Sequence, residues 1–255
     1  MERHQMGEII DLACQAGRII LENGGETYRV EDTMQYVCKA FGISGCDCFA
    51  TPTTIIISAN HNGEVFSRMI RIKKRGVDLH KVELVNSFSR AVINQPMTVL
   101  EARQVLAGID TTPAYNLFAT AAAAALGTAA FTVIFGGGLT HFLSGILLGA
   151  ALRSLLAYLN RIRLEYFTTN LLGGAAAAAG GWLFGFTISL TDWWIVTLAA
   201  IMQMVPGLIF TNALRDSAAG DLVSGSSRGV EALSIVAALA CGAGVVLMLL
   251  GRLGG

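Results

Sequence analysis

Past residue 112 the chain carries five apolar stretches, 114–135, 139–159, 167–188, 193–213 and 230–250. Each is close to the roughly 20 residues a helix needs to cross a hydrocarbon core. Gly136-Gly137-Gly138 closes the first and Asn160-Arg161-Ile162-Arg163 the second. Thr191-Asp192 parts the third from the fourth, and the polar run from Arg215 to Gly229 parts the fourth from the fifth. The stretch 193–213, broken by Pro206-Gly207, is the least regular. Charge is distributed to match. Of the Lys, Arg, Asp and Glu residues, 25 lie in 1–112 and 11 in 113–255, so an overall 14% charged content averages two different regions. A soluble domain usually carries about 25%. The expected architecture is a small cytoplasmic α+β domain over 1–112, followed by a five-helix transmembrane bundle over 113–255. The composition excludes a disordered chain and disfavours a purely soluble enzyme. A net charge of zero gives no basic footprint for nucleic acid.

Orientation follows from Lys and Arg in short loops. The loop after the second stretch has Arg161 and Arg163, with Arg153 near its edge, and the loop after the fourth has Arg215 and Arg228. The opposite side has only Arg252 in the tail. Five against one places the N-terminus inside and the C-terminus outside a cell inner membrane crossed several times. The opening MERHQMGEIIDLACQAG mixes charge signs without an uninterrupted apolar run, so it reads as no signal peptide. Trp193 and Trp194 then fall at the outer interface, where indole rings favour the headgroup region. Small residues crowd the stretches at 121–125 and 173–181. They let helix backbones approach closely in lipid, within one protomer or across a homo-oligomer interface.

The front domain reads as helix 6–22, stopped by Asn23-Gly24-Gly25, and helix 27–41, stopped by Gly42. Alternating β-branched segments 46–50, 53–59 and 64–72 are strands, with a hairpin turn at Asn60-His61-Asn62-Gly63. Helix 78–94 begins near Asp78. Gln95-Pro96-Met97-Thr98 ends it, and Thr98 caps a short helix 99–107. In a cytoplasmic setting Cys14, Cys38, Cys46 and Cys48 read as reduced thiols. Cys46-x-Cys48 puts two thiols on one strand face, but no second pair has matching spacing, so buried free thiols are the reading rather than a metal site.

The chain has no GxxxxGK[ST] or HExxH motif. No P-loop ATP hydrolysis, metal or cofactor is expected, and the reading is not an enzyme. The run Arg68, Arg71, Lys73, Lys74, Arg75 suits either anionic headgroups or a solvated face. The residues 25–32, with Glu26 and Glu31, place carboxylates at a helix start, where they complement the helix dipole or contact a ligand or partner. Asp78 is the third such candidate. The strongest local signal is Pro206-Gly207 with Asn212, Arg215, Asp216, Asp221, Arg228 and Glu231 beyond it, and Gln203 before it. Proline breaks the helix, and broken helices at membrane depth must line protein or water. Such breaks point to transporter binding sites, and polar groups there are costly enough to mark function. These nine residues are the candidate substrate pathway or gate, with Arg215, Asp216, Asp221 and Arg228 as a charge cluster at its cytoplasmic mouth.

The chain resembles the bacterial threonine/serine exporter family. The matching residues are Gly25-Glu26 with Val30-Glu31, then Arg75-Gly76-Val77-Asp78, and above all Pro206-Gly207, Asn212, Arg215-Asp216, Gly220, Ser224-Gly225, Arg228 and Glu231. The resemblance covers essentially the whole chain. It implies the larger subunit of the split two-component form, working with a small five-span membrane partner subunit. It also implies export of a small-molecule substrate, threonine or serine. The alternative within the resemblance is a dicarboxylate (succinate) exporter subunit. Outside it, the alternatives are a membrane-anchored hydrolase or a regulatory protein.

Overall fold

A computed structural model describes residues 3–61, 64–95, 97–113 and 115–253. The chain divides into two compact units. One is Met1–Ala114 with Leu208–Val230, the other Tyr115–Gly207 with Glu231–Gly255. The segment 208–230, read from sequence as part of the membrane region, is thus packed with the front domain.

In the first unit, α1 (Arg3–Glu22) and α2 (Thr27–Ala40) precede a three-stranded antiparallel sheet. Its strands β1 (Cys46–Thr51), β2 (Thr54–His61) and β3 (Glu64–Arg71) lie in sequence order. The register pairs Phe49 with Ile56 and Ile56 with Met69. Side chains alternate between faces. Ala50, Ile55 and Ile57 therefore enter the core beneath α1 and α2, beside Ile9, Leu12, Ile19, Ile20 and Met34. Next come α3 (Leu79–Asn94) and α4 (Val99–Thr111). Asp78 caps α3 by accepting from the Lys81 amide at 3.3 Å. Thr98 and Glu101 form a reciprocal capping box that starts α4. The helices and strands expected at the front follow the predicted order with ends shifted by a few residues. Asn62 and Gly63 of the expected turn, and Pro96 of the expected break, lie outside the described residues.

The second unit holds α5 (Leu117–Ile134), α6 (Leu139–Arg161), α7 (Tyr166–Thr187), α8 (Trp194–Met202) and most of α10 (Leu222–Leu253). The helix α9 (Gly207–Ala218) lies almost wholly in the first unit. Glycines set the closeness of the second unit's helices. A Cβ on Gly174 of α7 would strike the Leu239 carbonyl of α10, and one on Gly242 of α10 would strike the Leu171 carbonyl of α7. Gly145 and Gly149 of α6 meet α5 in the same way at Ala129 and Thr128. The outward surfaces are apolar: Phe118 is 84% exposed and Ile134 71%. His141 ties two turns together, accepting at Nδ1 from the Gly138 amide (3.2 Å), so that its Nε2 donates to the Thr191 carbonyl (2.7 Å).

Among the described residues, α5, α6 and α10 are long and apolar enough to cross a membrane, with mean hydropathy of 1.9, 1.7 and 2.6. The pair α8 and α9 makes a fourth if its break counts as lying within one span. The expected third stretch is the 22-residue helix α7. Its glycines, threonines and Asn170 dilute its apolar content, and it is not among the helices that qualify.

Candidate functional site

The corner between α1 and α2 is built by backbone. Asn23 Nδ2 donates to the Ile19 carbonyl (2.7 Å), and the Gly25 amide to that of Ile20 (2.9 Å), closing α1. Gly24 has φ +91°, a left-handed turn that glycine adopts without steric cost. A Cβ on Gly25 would collide with the Ile20 side chain. The corner leaves two carbonyls free for outside donors. Asn212 Nδ2 donates to the Gly24 oxygen (3.0 Å), and an Arg228 terminal nitrogen to the Gly25 oxygen (2.9 Å).

The next two residues carry side chains to the same place. Glu26 is buried at the N-cap of α2 and meets two guanidinium groups, Arg29 at 2.9 Å and Arg215 at 2.6 Å. The Thr27 hydroxyl lies 2.9 Å from an Asp216 oxygen and 3.2 Å from an Asp221 oxygen. It has one hydrogen, so it serves one carboxylate fully or both weakly. Asp216 is 1% exposed and pairs with Arg228 at 3.0 Å. Asp221 uses its other oxygen to accept from the Ser224 amide (3.0 Å) at the start of α10. The Ser224 hydroxyl reaches the Ala50 carbonyl of β1 (3.4 Å), and the Ala50 amide donates to Glu31 Oε1 (2.8 Å).

Local sequence explains why 208–230 presents these groups. On α9, Asn212 and Asp216 are four apart and share a face, with Arg215 beside them. Gly220, with φ +91°, turns the chain, and Asp221 starts α10. Ser224 and Arg228 then share a face one turn apart. Gly225 has no room for a side chain against Ser217 and the Ala213 carbonyl, so the two helices touch there.

Charge tunes the corner. Burial pushes the Glu26 carboxyl up, but hydrogen bonding from its own backbone and the Arg29 and Arg215 guanidiniums outweigh this and hold it below the usual carboxylate range. Glu31 is shifted the opposite way. Burial raises it, the bond from the Ala50 amide opposes, and the negative charges of Asp221, Asp32 and Asp216 add to the rise.

Of the residues singled out from sequence, Asn212 and Arg228 meet the Gly24 and Gly25 carbonyls, Arg215 meets Glu26, and Asp216 and Asp221 meet the Thr27 hydroxyl. Glu31 belongs to the same network through Ala50. Asp78 caps α3, and its amide donates to the Asn23 carbonyl (3.1 Å), so it braces the corner from behind. Gln203 lies in the second unit, 3.5 Å from the Thr128 hydroxyl. Pro206 closes the break before α9, Gly207 is the first residue of α9, and Glu231 is half-buried on α10. Sequence reasoning missed Thr27, Ser224 and the glycine and Ala50 carbonyls as partners. Thr27 lies inside the 25–32 motif, but a backbone acceptor has no residue-type signature.

Comparison with known proteins gives one family. The family described as "Putative threonine/serine exporter" matches residues 11–250. The "Probable threonine/serine exporter" of Mycobacterium tuberculosis is 23% identical over 92% of this chain and 45% of its own length. The "Threonine/serine exporter" of Corynebacterium glutamicum is 23% identical over 97% of this chain and 52% of its own. The chain spans about half the length of these curated relatives. No solved structure matches.

Proposed function

The chain belongs to the threonine/serine exporter family, and from that premise we propose that it is a subunit of a secondary exporter of threonine and serine. The family match over residues 11–250 carries the proposal. The front domain faces the cytoplasm, α7 completes a set of five spans, and the C-terminus lies outside. Loop arginines on alternate sides support that orientation. The curated relatives are about twice as long as the matched region. We assign the counterpart of their remaining half to a small five-span partner chain. A partner inserted in the opposite sense would make an inverted pair with a site near the midplane.

The Pro206-Gly207 break marks the pathway, with Gln203 on one side of it. The segment 208–230 is the gate. The front domain holds it through Glu26–Arg215, Thr27–Asp216 and Arg228 on the Gly25 carbonyl. Arg228→Gln should then insert into membranes normally and export less. The Asp216→Asn/Arg228→Gln double variant, which leaves no unpaired buried charge, should also export less. Wild-type export by the double variant overturns the gate.

The reading as a whole is tested by efflux of threonine, serine and succinate from cells making both chains, compared with cells making this chain alone. Threonine or serine efflux that needs both chains is expected. Succinate efflux in their place reassigns the substrate, and efflux of none of the three ends the reading.

A further inference from the structure

Away from the corner, the core of the first unit holds a cluster of thiols that export does not use. The Cys46 sulfur, on β1, lies 3.4 Å from that of Cys38 on α2 and 3.5 Å from that of Cys48. Cys14 is fully buried on α1 in the same core. Cys38 is buried, whereas Cys46 and Cys48 are half-buried. Protonated Cys46 donates to Cys38. Once Cys46 ionises, Cys38 and Cys48 can both turn their S–H groups towards it. Those two hydrogen bonds, Cys38 first, outweigh burial and hold the Cys46 thiol below the usual thiol range. The Cys38 and Cys48 thiols are raised, mainly by the bond to Cys46 and then by burial. The half-buried Cys46 sulfur thus sits between two thiols within hydrogen-bond distance of it.

Geometry decides which neighbour can be joined to it. Residues two apart on a strand have Cα atoms about 6.6 Å apart and parallel Cα–Cβ bonds. A disulfide needs Cβ atoms roughly 3.5–4.5 Å apart. Joining Cys46 to Cys48 would therefore tear β1. Cys38 approaches from a different element, across the turn at 41–45, and carries no such restriction.

We propose that Cys46 and Cys38 form a reversible disulfide inside the first unit, with Cys46 as the attacking thiol and a peroxide as the oxidant. The Cys46 thiolate attacks a peroxide oxygen. An S–O bond forms, the O–O bond breaks, and the leaving hydroxide takes a proton to become water. Cys46 is now a sulfenic acid, oxidised by two electrons. The Cys38 sulfur then attacks the Cys46 sulfur. An S–S bond forms, the S–O bond breaks, and the hydroxide leaves with the Cys38 proton as a second water. A thiol reductant reverses the step. The disulfide clips α2, which carries Glu26 and Thr27, to β1, which carries Ala50. It thereby fixes the spacing of two elements that grip 208–230.

The test uses the purified full chain in detergent, with hydrogen peroxide as the probe. Free thiols are alkylated afterwards and the peptides analysed without reduction. A Cys38–Cys46 linked peptide, lighter by two hydrogens and lost on reduction, is expected in the wild type and in Cys48→Ser. Cys38→Ser should stop at the sulfenic acid. Before oxidation, alkylation of Cys46 by iodoacetamide should set in at lower pH than for an ordinary thiol. An ordinary thiol gains about tenfold per pH unit below its pKa of about 8.5. The profile is the measure, because a low-pKa thiolate is intrinsically less nucleophilic and its absolute rate is unremarkable. A Cys46–Cys48 link, no intramolecular link, or a Cys46 alkylation profile no lower in pH than an ordinary thiol's overturns the proposal.

Discussion

The two units solve the problem of burial with opposite residues. The first fills its core with large side chains. Ile9, Leu12, Ile19, Ile20, Met34, Ile55 and Ile57 are almost completely hidden. The second buries Leu152, Val196, Ile235 and Leu239 too, but packs them with Ala129, Ala177, Ala178, Ala199 and Ala200 and turns Phe118, Leu126, Ile134 and Leu147 outward. In water, apolar area drives large groups inside, at about 25 cal/mol per Å². In lipid that drive between helices is absent, so close packing through small residues takes over. More small residues inside and more large ones outside is therefore what the second environment favours.

The comparison breaks first, and by the largest amount, where the first unit buries ions. Arg228→Gln strands the Asp216 carboxylate in the interior, and leaving one partner of a buried pair costs about 3–5 kcal/mol. Hydrogen exchange should quicken across 24–31 and 212–228, with most of the loss recovered in the Asp216→Asn/Arg228→Gln double variant. Unchanged exchange in Arg228→Gln would mean the pair is solvated. Next, Ile19→Ala should cost the first unit about 2–5 kcal/mol as a core cavity, read by thermal melting. The second unit should respond to added volume instead. Gly174→Ala should cost about 1–3 kcal/mol by driving α7 from α10. Gly127→Ala on α5, where a Cβ meets nothing, should be neutral or stabilise by up to about 1 kcal/mol through helix propensity. Equal effects at the two glycines would remove close packing as the explanation.

The smallest effects separate two carboxylates on one helix by sign. Glu26 is shifted down, so its contribution is present above the unfolded carboxylate pKa of about 4.3 and lost as pH falls through its lower folded value. Glu26→Gln should flatten the acid side of the stability profile. Glu31 is shifted up, so its contribution is present below about 4.3 and lost as pH rises through its folded value. Glu31→Gln keeps an acceptor for the Ala50 amide and should be neutral or stabilising at pH 7. Unfolding midpoints measured between pH 3 and 7 distinguish the two.

Local punctuation made much of this fold readable. Asn23-Gly24-Gly25, Gly42, Asp78 and Thr98 each end or begin an element through backbone bonds to near neighbours, so composition within a few residues is enough. The candidate cluster was readable as a set of costly polar groups near a helix break, but its partners were not. Thr27 and Asp216 lie 189 residues apart and Arg228 and Gly25 203, and no periodicity carries information over that range. The Gly24-Gly25 pair was legible as a helix stop, while its carbonyls' second use was invisible. Span counting failed to close for a related reason. The glycines that let α7 pack, with its threonines and Asn170, also keep it out of the set of helices apolar enough to span.

That sequence separation also sets a clock. A ribosome adding 5–20 residues per second delivers Asp216 roughly 10–40 s after Thr27. For that interval the two glycine carbonyls and the Thr27 hydroxyl lack their partners from 208–230, and Glu26 has only Arg29. The late segment is made only after the apolar helices between, so a filled corner reports that their synthesis is done.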